Sequence, residues 1–279
     1  MMMGIPDKTS DYLSPEYWNE RFKTEEAYEW LGSYENFAPL IRDYLSESPG
    51  PPPQSVLVVG NGNSTMGQSV AQDARVAGGG PAACCITDIS PVVVAKSRDR
   101  SRGGLSSSVS WAVCDMLRMP YRDSSFDLIV EKGAMDVLEV DGGRDPWNPN
   151  PLSLQRMHRW LSEAHRTLAD SGVLISISFA QPHFRRLLYD AEGYTWIVET
   201  ESYTTASAGG ASDGRVADGG EEGSSSFWEY YVYYARKGGR SPLSRHQREG
   251  GAITEGCKED CTHEILDSED FLLHIGVDD

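Results

Sequence analysis

Long apolar runs are missing from this sequence. No stretch approaches the roughly 20 residues a membrane-spanning helix requires, and residues 1–11 lack the basic-then-apolar pattern of a secretory leader. The expectation is a cytoplasmic protein with no membrane partner. Cysteine is scarce: five in 279 residues do not make a disulfide scaffold. Cys84 and Cys85 are adjacent within a predicted strand, so they point to opposite faces and read as buried thiols in a reducing compartment. Positive charge is in deficit, with 25 Lys and Arg against 42 Asp and Glu and a net charge of −17. That argues against a direct nucleic-acid binder and is compatible with a basic partner or a lysine-bearing substrate. The GxSxG nucleophile elbow is absent, as is GxxxxGK followed by Ser or Thr. Cys257, Cys261 and His263 have a hint of metal spacing, but three ligands alone do not complete a zinc site, and no metal is expected.

What is present is one strong organising stretch at 56–64. Val56-Leu57-Val58-Val59 suits a strand buried on both faces of a parallel sheet. Gly60 and Gly62 then allow a tight turn and close approach of backbone to a ligand. A helix-compatible segment follows at 65–77, with Asn63, Ser64 or Thr65 available to cap it. Strand, glycine turn and helix N-terminus make the first unit of a nucleotide-binding α/β fold. Thr65 occupies the third-glycine position of a dinucleotide GxGxxG fingerprint, which steers the reading away from NAD.

Before this unit lie about 50 residues rich in aromatics. Ser14-Pro15-Glu16 opens a helix in which Trp18 and Phe22, four apart, share a face. Tyr28, Trp30 and Tyr34 follow, then a helix over 33–45 with Phe37, Leu40, Ile41 and Tyr44 on one side. The segment reads either as a helical pad on the sheet edge or as a lid over a bound ligand.

After it, strands are predicted at 82–87, 109–114, 124–131 and 173–179, and helices at 92–100 and 152–169. Two strands end in carboxylates, Asp88 and Asp115. In such folds the acidic residue at the end of the second strand accepts the ribose hydroxyls. The strand at 124–131 runs into Glu131-Lys132-Gly133-Ala134-Met135-Asp136, a charged turn at the carboxyl edge where ligands sit. Two adjacent strands at 195–203 and 227–236 flank residues 206–226, whose Gly, Ala, Ser, Asp and Glu cannot bury a core. The expected organisation is therefore an N-terminal helical lid (1–50), an α/β catalytic domain (51–240) with a disordered insertion at 206–226, and a polar tail (241–279). The expected sheet is mainly parallel, Rossmann-like and closed by a C-terminal antiparallel hairpin.

Several motifs together resemble the class I, seven-strand S-adenosylmethionine-dependent methyltransferases. More narrowly, the chain is similar to the lysine methyltransferases that act on translation elongation factor 1-alpha. The residues carrying this are Glu16-Tyr17-Trp18 with Arg21, 28–32, Gly60-Asn61-Gly62-Asn63-Ser64, Glu131-Lys132-Gly133, 144–147, 182–185, 237–239 and 267–272. Val58 and Ser64 replace the acidic residue and third glycine of the broad class, changes the narrower family shares. Asn61 stands where relatives usually have cysteine, and Phe22 where they often have tyrosine.

The resemblance implies a protein-lysine N-methyltransferase using S-adenosyl-L-methionine and releasing S-adenosyl-L-homocysteine, with elongation factor 1-alpha as its protein partner. It implies that Gly60, Gly62 and Asn63 lie against the methionine part of the cofactor, Asp88 and Ile89 at the ribose, and Asp115 and Met116 at the adenine. Lys132 and Gly133 would border the methyl donor, and Trp18, Phe22 and Trp30 would cover it. Glu131, ahead of Asp136, is the expected catalytic carboxylate orienting or deprotonating the substrate lysine. The alternatives are a methyltransferase on another protein or a small molecule, and a non-catalytic S-adenosylmethionine-binding partner protein.

Overall fold

The computed structural model describes residues 6, 8–47, 52–79, 82–101, 108–143, 148–206 and 227–238. Residues 207–226 of the expected insertion, the tail with its two cysteines, and 144–147 lie outside them, whereas Ala206 ends a strand. Seven strands form one sheet: β1 (Ser55–Val59), β2 (Ala83–Asp88), β3 (Val109–Val113), β4 (Phe126–Lys132), β5 (Leu168–Ser178), β6 (Trp196–Ala206) and β7 (Phe227–Lys237). Their spatial order is β3-β2-β1-β4-β5-β7-β6. β1 to β5 pair in parallel, and β7 runs antiparallel to both β5 and β6. The helices are α1 (Pro15–Thr24), α2 (Tyr34–Glu47), α3 (Met66–Gly78), α4 (Pro91–Arg100), α5 (Ala134–Val137), α6 (Pro151–Thr167) and α7 (Pro182–Tyr189). This is the mainly parallel sheet with a C-terminal antiparallel pair that the pattern of elements implies.

Each face of β1 is buried, as its unbroken apolar run requires. Val56 and Val58 join Phe37, Ile41, Val70 and Ile86 on one side of the sheet. Leu57 and Val59 join Met157, Trp160 and Leu161 on the other. Full burial of each such side chain contributes roughly 1.5–3 kcal/mol. The chain winds outward from β1 through β2 and β3, then returns to start again at β4 on β1's other side. That reversal opens a crevice beyond the carboxyl ends of β1 and β4, where open α/β sheets bind ligands.

The two N-terminal helices have different jobs. In α2, Phe37, Ile41 and Tyr44 enter the sheet's core cluster, and Tyr44 stacks on Tyr234 with ring centroids 4.7 Å apart. α1 instead packs beside α4 and is started by Ser14, whose Oγ accepts the Glu16 amide at 3.2 Å. α2 is thus a pad on the sheet, while α1 lies beside α4.

One boundary differs from the sequence expectation. Ser171-Gly172 reads as the stop between helix and strand, but α6 ends at Thr167 and β5 already begins at Leu168. Ser171 has φ +68°, and the β4–β5 register shifts between Phe126 and Leu128. The turn signal marks a bulge inside the strand.

Candidate functional site

The glycine turn after β1 is shaped by its neighbours. Gly60 has φ +60°, and a Cβ there would lie 2.5 Å from the Cβ of Ala134. Only glycine lets the turns after β1 and β4 approach so closely. The asparagine between the glycines holds the turn's form. Asn61 Oδ1 accepts the Gly67 amide at 2.9 Å, and Nδ2 donates to the carbonyls of Ser64 at 2.9 Å and Gly62 at 3.2 Å. Ser64 caps the start of α3, its Oγ accepting the Met66 amide at 3.0 Å. A cysteine at position 61 supplies no comparable pair of donor and acceptor.

The carboxylates at the strand ends face this turn. Asp88 accepts the Gly62 amide on Oδ2 at 2.8 Å and the Ser90 amide on Oδ1 at 2.9 Å. Burial pushes its pKa up to about 6, against the pull of those amides and that of Ile89. Asp115 accepts the Leu117 amide at 2.8 Å, and the amide of Cys114 reaches back to the Asp88 carbonyl at 2.9 Å. The ends of β2 and β3 are thereby tied into one wall.

Aromatic side chains of the N-terminal segment line the front. Trp18 stacks on Phe22 with centroids 5.6 Å apart. Phe22 lies over Gly62, since a Cβ there would meet its ring at 3.6 Å. The Trp18 indole N–H donates to the Tyr12 carbonyl at 2.7 Å, fastening the preceding turn. Arg21 sits against the aromatic group, its guanidinium carbon 5.0 Å from the Trp30 ring and 5.3 Å from Tyr28. The segment after α1 is strapped to the glycine turn. Asn63 accepts the Tyr28 amide at 3.1 Å and donates to Glu25 at 2.9 Å. Glu29 accepts from Ser64 Oγ at 2.6 Å, the Thr65 amide at 3.2 Å and Lys132 Nζ at 2.8 Å. Lys132 Nζ also donates to the Gly32 carbonyl at 2.6 Å. Burial lowers the Lys132 pKa while Glu29 opposes the shift. Its ammonium is therefore engaged by the segment that follows α1.

These elements enclose a cavity of about 410 Å³, within the size range of small-molecule sites. Of the expected site residues, Trp18, Phe22, Trp30, Gly60, Gly62, Asn63, Asp88, Ile89, Asp115, Met116, Lys132, Gly133 and Asp136 all border it. Glu131 does not. It is wholly buried beneath the turn after β4, where it takes the Met135 amide at 3.1 Å and the Ser176 hydroxyl. Burial, reinforced by the nearby Asp136, pushes its pKa up to about 7.

Asp136 shares its surroundings with a residue sequence reasoning passed over. Its Oδ1 accepts from Ser178 Oγ at 2.6 Å and from the buried guanidinium of Arg185. Its Oδ2 is buried and has no hydrogen-bond partner among the described residues. Burial raises the Asp136 pKa, and the Arg185 charge counters it. Arg185 falls in 182–185, a stretch that carries the family resemblance, but its partner is 49 positions away, and nothing local announces such a pairing. Glu29 was equally visible yet unassigned, because its partners come from two separate turns.

A family model described as a methyltransferase domain matches residues 53–231. EEF1A lysine methyltransferase 4 of Mus musculus is 31% identical over 204 residues, covering 72% of this chain and 74% of that protein. The Bos taurus protein of the same name is 30% identical over 202 residues, covering 71% and 74%. Among solved structures, the N-methyltransferase NodS of Bradyrhizobium japonicum, in complex with S-adenosyl-l-homocysteine, covers 79% of this chain and 98% of its own at 18% identity and a TM-score of 0.49. The chain belongs to the class I S-adenosylmethionine-dependent methyltransferases, where it resembles EEF1A lysine methyltransferase 4.

Proposed function

We propose that this protein transfers a methyl group from S-adenosyl-L-methionine to a lysine side chain of translation elongation factor 1-alpha. One coincidence carries the reading. Every expected cofactor contact except Glu131 borders a single cavity, in a chain whose relatives at 30–31% identity bear this activity in their names.

The cavity suits the cofactor chemically. Gly60 and Gly62 present bare backbone to the methionine part. The Asp88 carboxylate, held by two amides, keeps further lone pairs for the ribose hydroxyls. Asp115 and Met116 border the space for the adenine. The apolar lid over Gly62 excludes water, which strengthens each polar contact inside. S-adenosyl-L-methionine supplies the methyl, whose bond to sulfur breaks with its electron pair left on sulfur as the amine lone pair forms the new N–C bond.

The chain's own task is to present a neutral amine in line. The substrate ammonium must shed a proton first. We assign Asp136 to accept an N–H of that amine and to receive the proton before passing it to solvent. Glu131, which is wholly buried and hydrogen-bonded within the turn, is assigned to hold that turn. The reading places the chain in the cytoplasm with its substrate. No helix among the described residues is long and apolar enough to cross a membrane.

Labelled S-adenosylmethionine added with the purified protein to a cell lysate tests the reading. Label on elongation factor 1-alpha supports it. Label on another protein or only on small molecules replaces the substrate, and no label despite S-adenosylhomocysteine binding argues for a non-catalytic binder.

A further inference from the structure

Beneath the turn after β4, the structure groups ionisable residues that the cofactor site does not use. The guanidinium of Arg185 on α7 is fully buried. It pairs with Asp136 and lies 3.4 Å from Glu139. It also donates to Ser178 Oγ at 3.2 Å and to the Met157 sulfur at 3.5 Å. A buried cation of this kind is expensive to desolvate unless its partners are fixed. Both terminal nitrogens of Arg185 are partnered, while its Nε has no hydrogen-bond partner among the described residues, and the effect on Asp136 is one-sided. Arg185 and Ser178 both engage Oδ1, while Oδ2 has no hydrogen-bond partner among the described residues despite its burial. An orphaned buried acceptor is uncommon in folded proteins. Asp136 itself borders the cavity. The donor the proposed reaction brings is an amine N–H.

We propose that Arg185 is a positioning residue for methyl transfer: by occupying Oδ1 of Asp136 together with Ser178, it fixes the orientation of a carboxylate that borders the cavity and meets the substrate amine there. This rests on the lysine-methyltransferase reading and deepens it. The groups facing Asp136 are Arg185, Glu139 and Ser178, with Glu131 close enough to interact through charge and Phe179 through its backbone N–H. Tyr189 and Tyr233 face Arg185 from α7 itself and from β7, respectively. Arg185 is the cation in this group, so its removal favours the protonated acid at Asp136.

The test measures methyl transfer from labelled S-adenosylmethionine to purified elongation factor 1-alpha across pH, using the full chain and the variants R185Q, R185K, S178A and D136N. S-adenosylhomocysteine affinity is measured alongside. For R185Q the expected result is a kcat about 100-fold lower, cofactor affinity within about twofold of the unsubstituted protein, and an acid limb moved to higher pH. R185K restores part of the rate and returns the limb, and S178A moves it the same way by less. Adding R185Q to D136N lowers the rate no further, because both act through one carboxylate. A purely structural Arg185 gives an unmoved pH profile and additive losses, which overturns the proposal. If R185Q fails to fold, an unmoved limb in S178A overturns it as well. Absence of transfer by the unsubstituted protein overturns the lysine-methyltransferase reading and this inference together, whereas transfer with an unmoved profile overturns this inference alone.

Discussion

The ammonium of Lys132, at the end of β4, lies 2.8 Å from the carboxylate of Glu29 in the lid. The lysine side chain is 3% exposed and the glutamate 27%, so the pair is screened less than a surface bridge. Glu29 also gathers Ser64 and Thr65 at the head of α3. One carboxylate thus joins the lid to the two turns that shape the cavity. Glu29→Gln should speed release of S-adenosylhomocysteine about tenfold, from the loss of one charge-assisted bond. Stopped-flow displacement measures this, and an unchanged rate means the lid is held elsewhere.

Cofactor affinity should depend on pH through Asp88. Its folded pKa of about 6 lies above the ordinary carboxylate value of 3.8. The ionised form is the stronger acceptor for the ribose hydroxyls, so affinity is full above pH 7 and falls as pH drops through about 6. Calorimetric titration of S-adenosylhomocysteine should record that fall. Asp88→Asn should weaken binding roughly 10- to 100-fold at pH 8 and flatten the profile.

Stability should respond to Glu131 with the opposite pH sense. Its pKa rises from 4.5 unfolded to about 7 folded, so the folded state binds that proton more tightly. Its contribution to stability is fully present below pH 4.5 and is lost as pH rises through 7. The ionised carboxylate then costs on the order of 3 kcal/mol. Glutamine keeps an acceptor for the Met135 amide and a donor for Ser176. Glu131→Gln should therefore melt higher than the unsubstituted protein at pH 8, with the advantage vanishing toward pH 4.5. Thermal melts at the two pH values check this. Methyl transfer should fall less than tenfold, in contrast to Asp136→Asn.

Gly60→Ala should damage both the fold and the site. The left-handed φ disfavours alanine by about 1–2 kcal/mol, and contact with Ala134 at 2.5 Å adds a similar overpacking cost. Denaturant titration should show a loss of about 2–4 kcal/mol, with S-adenosylhomocysteine binding lost in the variant. Unchanged stability would mean the two turns separate freely.

Much of the architecture was legible because its signals are local. The run at 56–59 carries β1, Gly60 and Gly62 its turn, and Asp88 and Asp115 the ends of the next two strands. The site was legible where family motifs mark positions. It was illegible where function depends on side chains meeting across the fold. Glu131 and Asp136 differ by five positions in one turn, but the cavity is bordered by Asp136 while Glu131 lies beneath. Arg185 reaches Asp136 only because α7 folds back under that turn. Ser171-Gly172 read as a stop because a bulge and a helix end use the same residue types.

The most direct test incubates the purified chain and its Asp136→Asn variant with elongation factor 1-alpha and S-adenosylmethionine, then maps the product by peptide mass spectrometry. The account predicts methylation of a lysine side chain by the unsubstituted protein and at least about a 100-fold loss in the variant, with S-adenosylhomocysteine still bound. Methylation of a residue other than lysine, or an undiminished rate in Asp136→Asn, would contradict it.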